Sequence, residues 1–484
     1  MATSPKNIPP PPSTIDDKPR VLIVGAGLAG LTLAILLQKA EVPYDIFERG
    51  LDTRTVGTAM MFGSNVSPLF TQLGIYDEFV DKSKPCETIN IYDDARELQF
   101  TRDFKLAAEM GGYTNRVIPR TTLYNIILNK VPQDRIHKGK KMVSLYQDDE
   151  RAIIYFADGT HHEGDILVGA DGAYSAVRHC LYDTVDRIGR LSQSDAEDLP
   201  YSCICLVGHS GPLETEKFPA LKDEVCQYND THSTDIPYSW MTFTTKDDVI
   251  CWGVIKYLDV QNSAAYSREQ RSDWGEGATD TMCNEVRDFP IPGGNGSLRL
   301  GDLIDGTPRA QITKVMLEEK VFDTWYHGRT VLVGDACHKI HPAGNRGAVQ
   351  AFHDVVALAN WINVLPRSAK VSDIEPAFRA YKEERFPFVQ EAAVHSKNLS
   401  QVSFTPDMKT VMSQFVTKHM PSWLWRAVNA KTAGYRPQAS FLRFVKDNGT
   451  VSSTHSRSYM ETRRILEARS SSSAHAAAAA AVVV

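Results

Sequence analysis

The 484-residue chain has little cysteine: eight residues, too few and too scattered for a disulfide framework. Cys203-x-Cys205 has no second pair at metal-ligand spacing, and its Val, Leu and Ile neighbours make it strand core. Reduced thiols and an intracellular, cytoplasmic protein are therefore expected. There is no excess of positive charge either. With 53 basic and 59 acidic residues the net charge is −6, which gives nucleic acid or an anionic membrane no reason to bind. Long apolar runs are also missing. Residues 21–37 carry no charge but reach only the lower limit of about 17 residues for a membrane span, and three glycines interrupt them. The chain opens polar and proline-rich, unlike a secretory signal, and Ala476–Val484 is too short to span, so no transmembrane segment is expected. What remains is 42% apolar and 23% charged, an ordinary globular composition, in a chain long enough for two or three domains.

The most informative stretch is VLIVGAGLAGLTLAILLQKAEVPYDIFER, residues 21–49. An apolar run ends at Gly25-x-Gly27-x-x-Gly30, a helical pattern follows, and a second apolar run closes on Glu48. This spacing predicts strand, tight turn, helix and strand in a dinucleotide-binding unit. Gly25 makes the turn, Gly27 admits a pyrophosphate, and Gly30 lets the helix lie close to the strand. The helix N-terminus contributes free N–H groups and a positive dipole end. Glu48, eighteen residues after Gly30, stands where a carboxylate holds adenosine ribose hydroxyls. An acid there disfavours a 2′-phosphate, so FAD or NAD is expected rather than NADP.

Two further apolar runs end in the same way, at Gly169-Ala170-Asp171-Gly172 and at Gly334-Asp335. Three such strands predict neighbours in one parallel sheet, with Gly25, Asp171 and Asp335 around a site at their carboxyl ends. Arg120 opens a helix; taken alone it is a solvated helix-end arginine. Residues 186–315 change character to aromatic, strand-like runs separated by Gly/Pro-rich segments, which reads as an inserted substrate domain. The expected organisation is a disordered proline-rich leader over 1–18, a dinucleotide domain over 19–185 with a strand excursion near 88–115, and the insertion over 186–315. The dinucleotide domain resumes over 316–390, followed by a helical region over 391–469 and a low-complexity tail over 470–484. His338 and His341 lack a third ligand at useful spacing, so no metal is expected, and His338 is expected to serve only its turn.

These motifs, in this order, resemble the single-component FAD-dependent monooxygenases of the aromatic-hydroxylase type, most of all fungal members of secondary metabolism. The likeness covers roughly 20–450. It rests on Gly25-x-Gly27-x-x-Gly30 with Glu48, on Gly169 to Gly172 with Ser175 and Arg178, and on Gly334-Asp335-Ala336-x-His338 with Pro342 and Gly347. It implies an α/β fold: a Rossmann-like FAD-binding domain, an inserted β-rich substrate domain and a helical C-terminal region. It also implies non-covalent FAD, NAD(P)H as a transient reductant, and O₂ with a small organic substrate that is hydroxylated or epoxidised through a C4a-hydroperoxyflavin.

Carried onto this chain, the resemblance gives Glu48 and Arg49 the adenosine half and sets Met61 against the cofactor. Arg120 takes the ribose-pyrophosphate region and Asp335 the ribityl chain. The helix that starts at Gly347 and Ala348 then turns its amides to the flavin ring. It also places a catalytic tyrosine in the insertion, Tyr228, with Tyr238 competing. One departure stands out: Asn345 and Arg346 replace the usual glycine and glutamine. That departure motivates one alternative, a non-catalytic FAD-binding protein; a flavin dehydrogenase or oxidase on the same fold is the other.

Overall fold

The computed structural model describes residues 17–51, 57–197, 201–233, 235–258, 276–402 and 421–482. The expected leader lies, apart from its last two residues, outside the described residues.

Val21–Val24 is wholly buried because it lies inside a six-stranded sheet whose neighbours cover both of its edges. The order is Tyr326–His327, Thr330–Leu332, Ile166–Gly169, Val21–Val24, Tyr44–Glu48, Ile136–Lys138. All pairs are parallel except the edge hairpin Tyr326–His327 with Thr330–Leu332. The three glycine-ended strands are thus adjacent, and their register sets Val24 beside Gly169 and Gly169 beside Leu332. Their carboxyl ends finish level, which is where ligands bind to such sheets. Two apolar helices pack together over this core, Leu28–Lys39 and Gly347–Ile362; the second is buried on every side from Val349 onward.

The second sheet has seven strands in the order Thr313–Glu318, Tyr201–His209, Ile250–Tyr257, Tyr238–Thr244, Tyr228–His232, Thr88–Asp93, Leu98–Asp103. The strand excursion near 88–115 runs into this sheet: Thr88–Asp93 pairs in parallel with Tyr228–His232 across 139 residues of chain. Alternation along these strands gives the sheet two faces. Ile204, Leu206, Trp240, Trp252 and Val254 form one core with Leu300 and Leu303. Tyr228, Phe243 and Cys251 point the other way and pack on Ala59, Val117 and Met61.

A separate antiparallel sheet joins Met142–Gln147, Ala152–Phe156 and His161–Gly164. Its turn uses Gly159 at φ +82°, where L side chains are strained. The helix Val371–Val402 follows, then Ser422–Gly434 and Arg457–Val482, the last running through the low-complexity tail. Among the described residues no helix is long and apolar enough to cross a membrane.

Candidate active site

The glycines of the first turn divide into two kinds. Gly25 sits at φ +106°, and a Cβ there would lie 2.4 Å from the Ala170 carbonyl oxygen. A Cβ on Gly30 would lie 2.0 Å from the Gly25 carbonyl oxygen. Both positions exclude side chains because backbone meets backbone. A Cβ on Gly27, by contrast, would meet nothing within 4 Å. The helix it starts has no side-chain cap and no acid in its first turn, so its leading N–H groups keep their donors for something outside.

The helix Gly347–Ile362 repeats the pattern, with no side-chain cap, no acid in its first turn, and open space at Gly347. Gly334, at φ +59°, fits between the two helix starts: its Cβ would lie 3.1 Å from Cβ of Ala351 and 3.7 Å from Cβ of Ala29. Asp335, next in the same tight turn, is exposed there. Two uncapped positive helix ends and a carboxylate therefore border one open region. That donor set suits a ligand with a pyrophosphate, a chain of hydroxyls and an anionic ring, and FAD fits it.

At the adenosine end, Glu48 ends its strand and accepts from the N–H of Ala26 at 2.9 Å and of Gly50 at 2.8 Å. These bonds leave lone pairs free for ribose hydroxyls and tie the carboxylate to the glycine-rich turn. Glu48→Ala should weaken FAD binding by about 1.5–3 kcal/mol, the range for hydrogen bonds to a charged group. Titration of the apoprotein with FAD measures this, and unchanged affinity would make Glu48 a turn residue only. Arg49 is exposed beside it. Arg120 begins the helix Arg120–Leu128; its N–H donates to the Thr58 carbonyl and its side chain lies against Gly57. Met61 is positioned by pairing of Ala59–Phe62 with Arg116–Pro119, and its carbonyl accepts from Asn345 at 3.4 Å.

Asp171 faces its own helix. It accepts from Ser175 Oγ at 2.5 Å and from the Val177 N–H at 3.2 Å, and burial pushes its carboxyl up. Arg178, buried and set 4.4 Å over the Phe322 ring, donates to the carbonyls of Ala336 and Ala173. The second motif thereby clamps the third.

His338 differs from its expected role. It is completely buried, and its Nε2 lies 2.6 Å from Asp354 Oδ2. Asp354 is buried among apolar helix neighbours, where desolvation pushes its carboxyl up, but His338 and Arg385 outweigh burial and hold it below the usual range. Asp354 accepts from Arg385 Nε at 2.9 Å and from the Gly334 N–H at 3.1 Å. Arg385 continues to Gln350 and to the Tyr435 hydroxyl. Cys337, His338 and Asp354 come together as a metal would need. The carboxylate there is already neutralised by Arg385 and filled with hydrogen bonds, so the cluster is a buried ion-pair network.

Beside it, His353 donates from Nε2 to the Asn65 carbonyl, and burial with the Arg385 charge lowers its pKa from 6.5 to about 3. The unfolded chain takes up this proton below 6.5 while the folded chain refuses it until about 3. The contribution is complete above 6.5 and is lost as pH falls toward 3, amounting to ~2 kcal/mol by about pH 5. Urea unfolding at neutral pH and at about pH 5 should show a smaller acid loss for His353→Gln than for the parent. An equal loss would rule His353 out as the source.

The two tyrosines separate cleanly. Tyr238 lies on the face that packs with Trp240 and Trp252, bonded to Glu285 at 2.5 Å and packed on Phe289. Tyr228 is on the face turned to Met61, 7% exposed, with its ring 4.2 Å from Phe243 and its phenol pushed well up by burial. The two departures also have physical settings. Asn345 adopts φ +48°, a left-handed conformation that glycine and asparagine tolerate best. Arg346 precedes the helix N-terminus and lines a cavity of about 50 Å³ with Gln350, His353 and Glu391. Burial lowers its pKa and Glu391 opposes this. Three groups that sequence reasoning missed are Asp354, Arg385 and the Asn345 link to Met61. A lone acid inside the apolar helix pattern 347–362 was the available signal for Asp354.

The family described as FAD binding domain matches residues 18–194 and 302–396. FAD-dependent monooxygenase penM of Penicillium crustosum is 30% identical over 77% of this chain and 76% of its own length. FAD-dependent monooxygenase ptmM of Penicillium ochrochloron is 29% identical over 77% and 86%. Among solved structures, a point variant of Klebsiella pneumoniae HpxO complexed with FAD shares the fold with a TM-score of 0.65 at 18% identity, covering 85% of this chain and 97% of that one. FqzB does so with a TM-score of 0.63 at 19% identity, covering 88% and 96%. The glycine-rich turn, the paired helix ends and this likeness agree: the chain belongs to the FAD binding domain family and is an FAD-dependent monooxygenase.

Proposed function

We propose that this chain uses NAD(P)H and O₂ to hydroxylate or epoxidise a small organic substrate of fungal secondary metabolism. The convergence of two uncapped helix N-termini on Gly334 carries the reading. Non-covalent FAD, when bound, supplies hydride acceptance from NAD(P)H and activation of O₂ for transfer of one oxygen atom.

The chain's own residues bind, orient and exclude water. Gly27 and the first turn of Leu28–Lys39 receive the pyrophosphate, while Gly25 and Gly30 hold turn and helix in place. Glu48 and Arg49 take the adenosine ribose, and Arg120 the ribose-pyrophosphate region. Asp335 accepts from the ribityl hydroxyls. Gly347 and Ala348 turn their N–H groups toward the ring, where negative charge develops on reduction. Asp171 shapes its loop by capping the helix Ala176–Arg187, and Arg178 fixes the Asp335 turn. The substrate lies on the facing side of the seven-stranded sheet, beside the contact that Met61 makes with it, where Tyr228 backs a largely apolar wall. Such a wall keeps water away from an oxygen-transfer step.

The purified protein should be yellow and release free FAD on denaturation. Incubation with NADPH, ¹⁸O₂ and a panel of electron-rich aromatics and alkenes should give a product heavier by one ¹⁸O. Turnover with oxidised product but no ¹⁸O would replace the proposal with a dehydrogenase or oxidase.

A further inference from the structure

The sheet face turned toward Met61 carries one polar pair that the reading above does not use. Tyr228, Asp230 and His232 alternate along one strand, and cross-strand register sets them beside Phe243, Met241 and Ser239. Met241 in turn lies beside Gly253, and a Cβ on Gly253 would be 3.6 Å from Met241 and from Val207, an ordinary contact. Gly253 therefore leaves a shallow dent in an otherwise side-chain-covered face. At one end of that face the Tyr257 ring stacks on His341 of the Gly334–Gly347 loop, 6.0 Å away and 4° from parallel, and its hydroxyl is 3.0 Å from Ser239 Oγ. On the far side of Ser239 from Tyr257 stand His232, in register with Ser239, and Asp230, with Nε2 3.3 Å from Oδ2.

Each member of this pair has a second polar atom, His232 Nδ1 and Asp230 Oδ1, that is buried and finds no partner among the described residues. Leaving such acceptors unpaired is costly, and a ligand donor reaching them would relieve that cost. The side chains are 24% and 18% exposed through their other atoms, so these two polar atoms lie just beneath the surface of the face. Burial lowers the His232 pKa, but the Asp230 carboxylate outweighs it and the ring ends above its ordinary value. The titratable groups around the pair are the neutral Tyr228 phenol on its own strand, Asp93 in register on the neighbouring strand, Asp94 on the following turn bonded to Ser233, and Arg102 on the edge strand. Arg102 also acts on His395 of the helix Val371–Val402, whose pKa is lowered first by burial.

We propose that His232, backed by Asp230, anchors a phenolic or enolic hydroxyl of the substrate and takes its proton. This rests on the substrate placement given above. With Nε2–H donated to Asp230, neutral His232 presents Nδ1 as an acceptor. The substrate O–H bond breaks, its electron pair stays on oxygen, and the proton moves to Nδ1, giving an imidazolium held by the carboxylate. An arene or alkene conjugated with that oxygen becomes the electron-rich partner that oxygen transfer requires. The substrate class is thus a mostly apolar skeleton with an ionisable hydroxyl at one edge.

The test uses the FAD-loaded enzyme and 4-nitrophenol, whose ionised form is seen by absorbance, with 4-nitroanisole as the hydroxyl-free control. Bound to the parent, 4-nitrophenol should ionise about one pH unit below the free compound, a tenfold shift in the phenolate-to-phenol ratio. In His232→Gln, and in the Asp230→Asn/His232→Gln double variant that leaves no lone carboxylate, the midpoint should return to the free value. FAD content, circular dichroism and 4-nitroanisole affinity should not change in either. No binding of 4-nitrophenol by the parent, no shift on binding, or a shift that survives the double variant would overturn the assignment. Failure of the broader reading looks different: a parent enzyme that retains FAD yet incorporates no ¹⁸O with any substrate.

Discussion

His338→Ala should cost about 3–5 kcal/mol of folding stability, the range for breaking a buried pair from one side. The imidazole and the Asp354 carboxylate are both fully buried and 2.6 Å apart. Removal of the ring leaves Asp354 with Arg385 and the Gly334 N–H but without its closest partner, on a helix buried on every side. Gly334 precedes Asp335, so the damage should extend to FAD retention through the turn rather than through a lost cofactor contact. Chemical unfolding of the apoprotein and flavin occupancy after identical purification measure the two effects. Asp335→Ala should do the reverse, lowering occupancy while leaving stability near the parent, since Asp335 is exposed. If His338→Ala unfolds like the parent, the buried network does not hold this turn.

That result would also mark where sequence pattern stops being informative. The first strand–turn–helix was legible because each part is local: four apolar residues, glycines at fixed offsets, and an acid at the end of the next strand. The parallel neighbours were legible because three strands shared a composition and an ending. The His338–Asp354–Arg385 network was not, because its members lie 16 and 31 residues apart on separate elements. No spacing rule links them; only the fold does. The same holds for Thr88–Asp93, whose alternation announced a strand but whose partner lies 139 residues away. Tyr238 and Tyr228 could not be separated by position. They sit on opposite faces of one sheet, and face is fixed by register, which a single residue of slip would invert.

The glycines of the first turn allow the sharpest separation of fold from ligand. Gly30→Ala places a methyl 2.0 Å from the Gly25 carbonyl oxygen and 3.3 Å from Ile23 Cγ2. The first of these is backbone in a fully buried strand–helix contact, so the helix must move away from the sheet. We expect a loss of roughly 3 kcal/mol, the upper end for forced overpacking, and FAD binding should fail because the helix start is displaced. Gly27→Ala should behave differently. Its methyl meets nothing within 4 Å, and its φ of −78° suits any residue. The apoprotein should therefore lose less than about 1 kcal/mol, the cost of alanine at a helix start. FAD affinity should nevertheless fall at least tenfold, because the methyl occupies the space through which the pyrophosphate approaches the N–H groups. The two variants are compared as apoproteins by urea unfolding and then by FAD titration. Normal FAD affinity in a stable Gly27→Ala would move the pyrophosphate away from this turn. A stable Gly30→Ala would mean that helix and strand tolerate a separation their present contact does not allow.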